Sequence, residues 1–301
     1  MDNVCHTLVG VAVARTGLHR RTALATSTAA IAANIPDIDV LVFVTNVPSV
    51  AFRRGITHGI PAQLLLPILC AGIMWWFGRR RDNGVPVRFW WLLALSYIGV
   101  LTHVFLDFLN NYGIRLLSPF SQRWFYGDAL FIVDVWLWSI LAAGALLAGR
   151  SRPRFAIAAL VVASAYIGGM LVSARMAREI VREAWIARTT EAPHALMVGP
   201  LPLNPFGRTI ILDTGDRYFE GSFRWLPLDV SFEQTATLKN DWLPEVKDAR
   251  EDSKVRGILR WARFPVWDTR EVPGGIEVRV RDMRFRRIER GGFGASTILP
   301  R

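Results

Sequence analysis

The sequence predicts an all-α polytopic membrane bundle of four to six helices, followed by a small soluble domain that is α+β or mostly β. Two observations favour this fold class. Hydrophobic residues make up 51% of the 301-residue chain, and its long apolar stretches all lie before residue 175. Beyond that position, short runs alternate apolar and polar residues, as strands do. We therefore expect a membrane domain at 1–174, a charged connecting helix at 175–194 and a soluble domain with antiparallel strands at 195–301.

Four apolar stretches are long enough to cross a bilayer as helices, because a hydrocarbon core of about 30 Å requires roughly 20 residues. They are residues 60–77, 89–109, 129–148 and 155–174. Two earlier stretches, 4–18 and 22–35, would each cover only about 20 Å as helices. These two are either marginal spans or helices held inside the bundle. The chain start lacks the leading positive charge of a secretory signal, since no basic residue precedes Arg15.

The arginines of the short loops predict the orientation in the membrane. Ten of them form three clusters that alternate with the other loops: Arg15, Arg20 and Arg21; Arg79, Arg80, Arg81 and Arg88; Arg150, Arg152 and Arg154. The intervening loops, 36–59 and 110–128, hold only four arginines. By the positive-inside rule the three clusters are cytoplasmic, on a bacterial inner membrane. If all six stretches cross, both loops, the N-terminus and the C-terminal domain lie outside, in the periplasm of a Gram-negative cell or otherwise at the cell surface.

The net charge of +11 is divided between the two halves of the chain, with +7 before residue 175 and +4 after it. Because this basic excess is spread over short loops and forms no single patch, we expect no nucleic-acid partner. The two cysteines, Cys5 and Cys70, give no support for a disulfide framework, since Cys70 lies inside a predicted span.

Ionisable side chains converge at the predicted outer face and suggest a metal site. They are His6, Asp37, Asp39, His58, His103, Asp107, Asp128 and Asp134. His103 and Asp107 are four residues apart on a helix, so both lie on one stripe with a spacing that suits two ligands of one metal. The alternative is a hydrogen-bonded pair that tightens helix packing. Since an Asp at the centre of a span costs roughly 2.5–3.5 kcal/mol, several retained acids favour a function.

Two further segments supply candidate groups. In IPDIDV (35–40), Pro36 ends the preceding helix and Asp37 and Asp39 alternate on an extended stretch, so we expect one of the two to bind metal. An Asp-rich turn at a helix end is the alternative. In RRGITHG (53–59), two guanidinium groups lie beside His58 and could bind a phosphate or a carboxylate. The alternative here is a pair of interfacial arginines that meet lipid headgroups.

Five motifs in order resemble the membrane-bound metal-dependent hydrolase family, the YdjM type, also described as LexA-binding, inner-membrane-associated hydrolases. They are MDNVCHTLVG (1–10), NIPDIDVL (34–41), RRGITHG (53–59), THVFLDFLNNYG (102–113) and WFYGDALFIVDVWLW (124–138). The resemblance covers about residues 1–140. The family is distantly similar to zinc-dependent phospholipase C and to single-strand-specific zinc nucleases, both of which cleave phosphate esters.

The resemblance implies a role for each matching residue. The implied metal ligands are His6, Asp37, His58, His103 and Asp107, holding one to three divalent ions, zinc or manganese. The implied supporting or catalytic positions are Asp39, Arg54, Asp128 and Asp134. The chain departs from the pattern at Arg53, where many relatives have His, and at Val135, where they have Pro.

These features predict a metal-dependent hydrolase of esters or phosphoesters. Its site at the bilayer surface favours a lipid-like substrate. Arg54 would steady developing negative charge, and Asp39 or Asp134 would act as general base. A non-catalytic scaffold or stress regulator with a structural metal is the alternative, and a transporter would need acids spread through the membrane depth.

The C-terminal domain offers no catalytic constellation. We interpret it as a gating module or a module that binds a protein partner. Its four tryptophans, Trp225, Trp242, Trp261 and Trp267, are expected in its core rather than along a groove.

Overall fold

A computed structural model describes residues 1–44, 49–80, 85–286 and 293–300 of the chain, so Arg81 of the second arginine cluster lies outside the described residues. A helical N-terminal region precedes a sheet-rich C-terminal domain of antiparallel strands, which confirms the predicted fold class. The chain forms two compact units. The first comprises Met1–Asp39, Arg54–Ala174 and Pro200–Pro205, and the second comprises Val40–Arg53, Arg175–Gly199 and Phe206–Arg301.

Three helices of the described residues are long and apolar enough to cross a membrane: α4 (Ile60–Gly78), α5 (Phe89–Phe108) and α7 (Pro153–Thr189). A further apolar helix, α6 (Val135–Ala148), has only 14 residues, or about 21 Å. The predicted span at 129–148 is therefore wrong at its start. The cause is local, because the carboxylate of Asp134 accepts a hydrogen bond from Leu137 N and begins the helix there.

The two earliest apolar stretches form α1 (Asn3–Arg15) and α2 (Ala25–Ala32), which are shorter than a full span. They pack against each other and against α5. Contact is close because a Cβ at Gly10 would lie 2.5 Å from Ala29 O, and one at Gly99 would lie 2.8 Å from Ala32 Cβ. Of the two alternatives, the structure thus favours helices held inside the bundle.

The arginine clusters lie together at one end of the helical unit. Arg20 Nη2 donates to Arg150 O (3.2 Å), and Arg15 donates to Ala145 O, so the first and third clusters meet. Arg88 N donates to Thr22 Oγ1 (2.9 Å), which brings the second cluster beside the first. The arrangement has the geometry that the positive-inside prediction requires, since alternate loops share one face.

Helix α7 runs without a break through the predicted span at 155–174 and most of the predicted connecting helix. Its C-terminal part carries Trp185, whose ring lies 5.0 Å from Phe219 and 5.2 Å from Phe232 in the first sheet. These rings join a buried cluster that includes Val181, Leu212 and Phe223. The charged connecting segment is therefore the helix on which the first sheet packs.

The second unit contains two sheets. The strands are β1 (Ala195–Pro200), β2 (Gly207–Asp213), β3 (Arg217–Trp225), β4 (Leu228–Phe232), β5 (Thr237–Leu238), β6 (Pro265–Val272), β7 (Gly275–Asp282) and β8 (Gly294–Leu299). The order in the first sheet is β1–β2–β3–β4, with β5 paired to β3, and the order in the second sheet is β6–β7–β8. Two short helices, α8 (Pro244–Ala249) and α9 (Ser253–Trp261), separate the sheets in sequence, and a one-turn helix, α3 (Ser49–Phe52), also belongs to this unit.

The tryptophans of this unit divide between core and surface. Trp261 and Trp267 are buried and Trp225 packs against the core of the first sheet, as expected. Trp242 is 55% exposed, so its predicted core position is wrong. It lies between β5 and α8, outside the strands of both sheets.

Candidate metal centre

The candidate metal ligands come from three elements at the end of the helical unit opposite the arginine clusters. His103 and Asp107 lie on the last two turns of α5. Asp37 lies in a 3₁₀ helix, Ile35–Val44, and His58 ends a second 3₁₀ helix, Ile56–His58. The extended stretch predicted around Asp37 and Asp39 is therefore wrong. A 3₁₀ helix advances about 120° per residue, so these two carboxylates still point in different directions.

Four side chains offer ligand atoms that all lie within 4.8 Å of one another: Asp37, His58, His103 and Asp107. The Nε2 atoms of His58 and His103 are 3.1 Å apart. Asp107 Oδ2 lies 3.5 Å from His58 Nε2 and 3.6 Å from His103 Nε2. Asp37 Oδ1 lies 3.8 and 3.9 Å from the same two nitrogens. Ligands on a tetrahedral metal with bonds of about 2.0–2.1 Å lie roughly 3.3 Å apart, so the group needs only small adjustments to fit one.

The other ring nitrogen of each histidine is occupied by an acceptor. His103 Nδ1 lies 2.7 Å from the carbonyl oxygen of Ala33, so Nδ1 carries the hydrogen and donates it. His58 Nδ1 lies 2.9 Å from Thr57 Oγ1, which itself donates to Asp39 Oδ2 at 3.1 Å. Because the Thr57 hydrogen goes to Asp39, the hydrogen between His58 and Thr57 comes from His58 Nδ1. The network thus assigns both protons to Nδ1.

In their neutral forms, both histidines then direct Nε2 lone pairs at each other and at two carboxylates. Such a set of buried acceptors could hold a cation, since the lone pairs repel one another in a medium of low dielectric constant. Imidazole nitrogen with carboxylate oxygen is a donor set that suits zinc and manganese. The polar partners behind each imidazole, a backbone carbonyl and a carboxylate-bound threonine, are those that orient metal-binding histidines in proteins.

His6 lies against this group without being one of the four. Its ring stacks on His103 at 3.8 Å between centroids, and its Nε2 is 3.3 Å from Asp107 Oδ1. Its Nδ1 is buried and has no hydrogen-bond partner among the described residues. The His6 side chain therefore contacts Asp107 Oδ1, whereas Asp107 Oδ2 faces His58 and His103.

Arg54 occupies a different position from the one expected of a phosphate ligand. Its Nε lies 2.8 Å from Asp107 Oδ2 and its Nη2 lies 3.0 Å from Asp107 Oδ1, a two-pronged ion pair. Nη1 donates to Asn110 Oδ1 (3.0 Å) and to Gly113 O (3.3 Å), and the guanidinium lies 4.7 Å over the Tyr112 ring. Arg54 is 5% exposed. With these donors used inside the protein, its role is to hold Asp107, which the amine of Met1 also contacts.

The remaining predicted carboxylates, Asp39, Asp128 and Asp134, are not among these four residues. Asp39 accepts from Arg54 N at 2.7 Å, and its Oδ2 lies 3.5 Å from His58 Nδ1, so it supports His58 from behind. Asp128 lies in a loop whose backbone donates to the carbonyls of Phe108 and Leu109, next to the ligand-bearing end of α5. Asp134 caps α6 and accepts from Tyr166 Oη at 3.0 Å, which is the environment of a structural residue.

Two residues that position the site were not singled out from the sequence. Thr57 links His58 to Asp39, and the Asn110 carboxamide holds both Arg54 and the turn at Tyr112 and Gly113. Both lie within the quoted motifs, RRGITHG and THVFLDFLNNYG. The local sequence does not identify the contacts to Asp39 and Arg54, because both partners lie in other segments of the chain.

Comparisons with known proteins support the membrane assignment of the N-terminal region. The family model described as YdjM inner membrane protein matches residues 1–177, which include the whole candidate metal centre. A relative in Bacillus subtilis (strain 168), described as uncharacterized protein YfhP, is 26% identical over 273 residues, or 83% of this chain and 74% of YfhP. No solved structure matches the chain. Because the matching model spans more than half of the sequence, this chain belongs to the YdjM inner membrane protein family.

Proposed function

We propose that the chain is a membrane-integral metal-dependent hydrolase that cleaves an ester or phosphoester of a lipid-like substrate at the membrane face that carries the site. One observation carries this proposal: the ligand atoms of Asp37, His58, His103 and Asp107 lie within 4.8 Å of one another. The hydrogen-bonded Nδ1 atoms behind them strengthen it, since both imidazoles are already fixed with Nε2 directed inward. A bound divalent ion would supply a water with a pKa lowered toward about 7.

The residues around the group have distinct roles in this proposal. Asp37 is the one ligand with measurable exposure, at 7%, while His58, His103 and Asp107 are fully buried. Water and substrate therefore approach from the side of Asp37. Arg54 and Asn110 fix Asp107, Asp39 and Thr57 fix His58, and we assign proton transfer to Asp128 because its loop bonds to Phe108 and Leu109 at the ligand-bearing end of α5.

A second candidate function is favoured by the burial of the group. Four protein ligands with almost no exposure are typical of structural metal sites, whereas catalytic sites keep a position for water. In that case the metal would stabilise the helical unit, and the chain would act as a membrane scaffold or regulator through its C-terminal domain.

Metal analysis tests the site itself. We expect the purified full-length protein to hold a stoichiometric divalent metal, and His58→Ala and His103→Ala to lose most of it. His194→Ala is the matched control, because His194 is exposed and lies in the second unit. Equal metal content in all three variants would remove both candidate functions.

A cobalt-substituted protein separates catalysis from a structural role. A site open to water should change its visible absorption when inorganic phosphate is added, and the zinc or manganese form should hydrolyse a bis-aryl phosphodiester. A tetrahedral spectrum that phosphate leaves unchanged, together with no hydrolysis, would favour the scaffold. Asp128→Asn should retain metal and lose hydrolysis, and full activity in that variant would overturn the assignment of proton transfer.

A further inference from the structure

We propose that the end of the helical unit opposite the metal centre binds an anionic phospholipid, with an acyl chain between α2 and α4 and the phosphate held by Arg79 and Arg80. This site is separate from the proposed function and uses none of its residues. A groove and a set of arginines support it independently.

The groove is a cavity of about 370 Å³ between α2 and α4. Its walls are apolar side chains, among them Ile31, Ile73, Met74 and Phe77, with Ser27 as the hydroxyl group. Ile73 and Phe77 are about half exposed, at 53% and 48%. Because α4 is a candidate membrane span, the medium beside these side chains is hydrocarbon, and a flexible acyl chain fills such a cavity without leaving polar groups unpaired.

The arginines lie at the end of α4. The guanidinium of Arg79 lies 4.6 Å over the Trp75 ring, and that of Arg80 lies 3.6 Å over the Trp76 ring. Stacking uses the face of a guanidinium and leaves its N–H groups directed outward, where they suit the oxygens of a phosphate. Both arginines are exposed, and neither forms an ion pair with a carboxylate in the part of the chain that the structure describes.

The groove and the arginines adjoin. Phe77 lines the groove two residues before Arg79, and α4 packs on Leu24 there, since a Cβ at Gly78 would lie 3.1 Å from Leu24 Cδ1. A third exposed guanidinium, Arg21, precedes Leu24 by three residues and lies 5.7 Å over the Trp91 ring. These positive charges form no ion pair with a carboxylate among the described residues, and they favour a lipid with net negative charge over a zwitterionic one.

The test measures lipid retention by native mass spectrometry of the full-length protein in detergent, titrated with phosphatidylglycerol or phosphatidylcholine. We expect the wild type to retain phosphatidylglycerol in preference. Arg79→Gln with Arg80→Gln should weaken this binding on the order of tenfold or more, because each arginine near a headgroup contributes about a fivefold factor. Ile73→Trp should also weaken it by filling the groove.

The matched control is Arg152→Gln with Arg154→Gln, which removes the same charge from another loop of the same arginine-rich end. This variant should retain phosphatidylglycerol like the wild type. Equal losses in both arginine pairs would mean general attraction to charge and would overturn the site. Equal retention of the two lipids by the wild type, or unchanged binding in Ile73→Trp, would overturn it as well. Thermal unfolding of each variant identifies any that fails to fold, in which case Arg79→Lys with Arg80→Lys replaces the glutamine pair and should weaken binding less.

Discussion

At the scale of single residues, the Asp107 carboxylate contacts both the candidate metal ligands His58 and His103 and the guanidinium of Arg54. Its Oδ2 faces His58 and His103 and lies 2.8 Å from Arg54 Nε in an ion pair, while its Oδ1 accepts a hydrogen bond from Arg54 Nη2. A carboxylate with no exposure is costly unless it is paired, and Arg54 supplies the opposite charge at this position. Arg54 also adopts φ 52°, in the left-handed region, which few residues other than glycine occupy.

Arg54→Gln should therefore destabilise the protein by about 3–5 kcal/mol, since it leaves a buried charge without its partner. Thermal or denaturant unfolding in detergent measures this. Arg123→Gln is the control, because Arg123 is exposed and its guanidinium contacts the Phe125 ring. Similar stability of the two variants would show that Arg54 does not offset the free-energy cost of burying the Asp107 carboxylate.

Asp39→Asn tests the residues behind His58. We expect metal affinity to fall by about 10- to 100-fold, because the partners that orient a metal-binding histidine typically contribute that much. Thr57→Val should act in the same direction, since it breaks the link between His58 and Asp39. Thr102→Val is the control, because its hydroxyl bonds to carbonyls of its own helix. Chelator competition gives the affinities, and an unchanged value in Asp39→Asn would contradict the positioning role.

Helix α6 illustrates how one side chain sets the boundary of an element. Asp134 caps the helix through Leu137 N and ties it to α7 through Tyr166. Asp134→Ala should cost about 0.5–2 kcal/mol, the usual range for a lost N-cap. Metal content should stay at the wild-type level, as it should in Tyr166→Phe, which loses only the second contact. Loss of metal in Asp134→Ala, with metal retained in Tyr166→Phe, would contradict a purely structural role for Asp134.

The turn after β7 depends on the ionised form of Asp282. Burial by itself would raise the pKa of this carboxyl, but the Arg284 guanidinium and the backbone N–H groups of Arg284 and Phe264 hold the pKa below its usual value. A lowered pKa in the folded state means that the stabilisation is complete above the unfolded value of about 3.9 and is lost as the pH falls through the folded value.

We therefore expect Asp282→Asn to lower the free energy of unfolding at neutral pH by about 1–3 kcal/mol, because the charged hydrogen bonds are lost. The variant should accordingly unfold at a lower temperature than the wild type. The difference should shrink once the pH falls below the unfolded pKa of about 3.9 and toward the lowered pKa of the folded carboxyl. Unfolding followed by the fluorescence of the buried tryptophans measures both conditions. A difference that is constant with pH would contradict this account.

At the scale of the whole molecule, the arginine clusters and the metal centre lie at opposite ends of the helical unit, as the positive-inside prediction requires. The orientation itself is a prediction. Alkaline phosphatase fused after the C-terminus should be active, and a fluorescent protein fused there should be dark, because we expect that end in the periplasm. Fusions that end at Ser151 should give the reverse pattern. Active phosphatase at Ser151 would invert the topology.

The sequence by itself determined the features that depend on local composition and period. Apolar length predicted α4 and α5, four-residue spacing predicted that His103 and Asp107 share a stripe, and alternation predicted antiparallel strands in the C-terminal domain. Each of these signals lies within one segment, so hydrophobic burial and backbone geometry suffice to read it.

The tertiary structure decided the features that depend on partners far away in the sequence. His103 is oriented by a carbonyl 70 positions earlier, and Arg54 pairs with a carboxylate 53 positions later. The second contact makes Arg54 the counter-ion of the Asp107 carboxylate, a partner that the sequence around Arg54 does not identify. The physical reason is that a buried polar group must find its partner somewhere in the fold, and the sequence around it does not state which one.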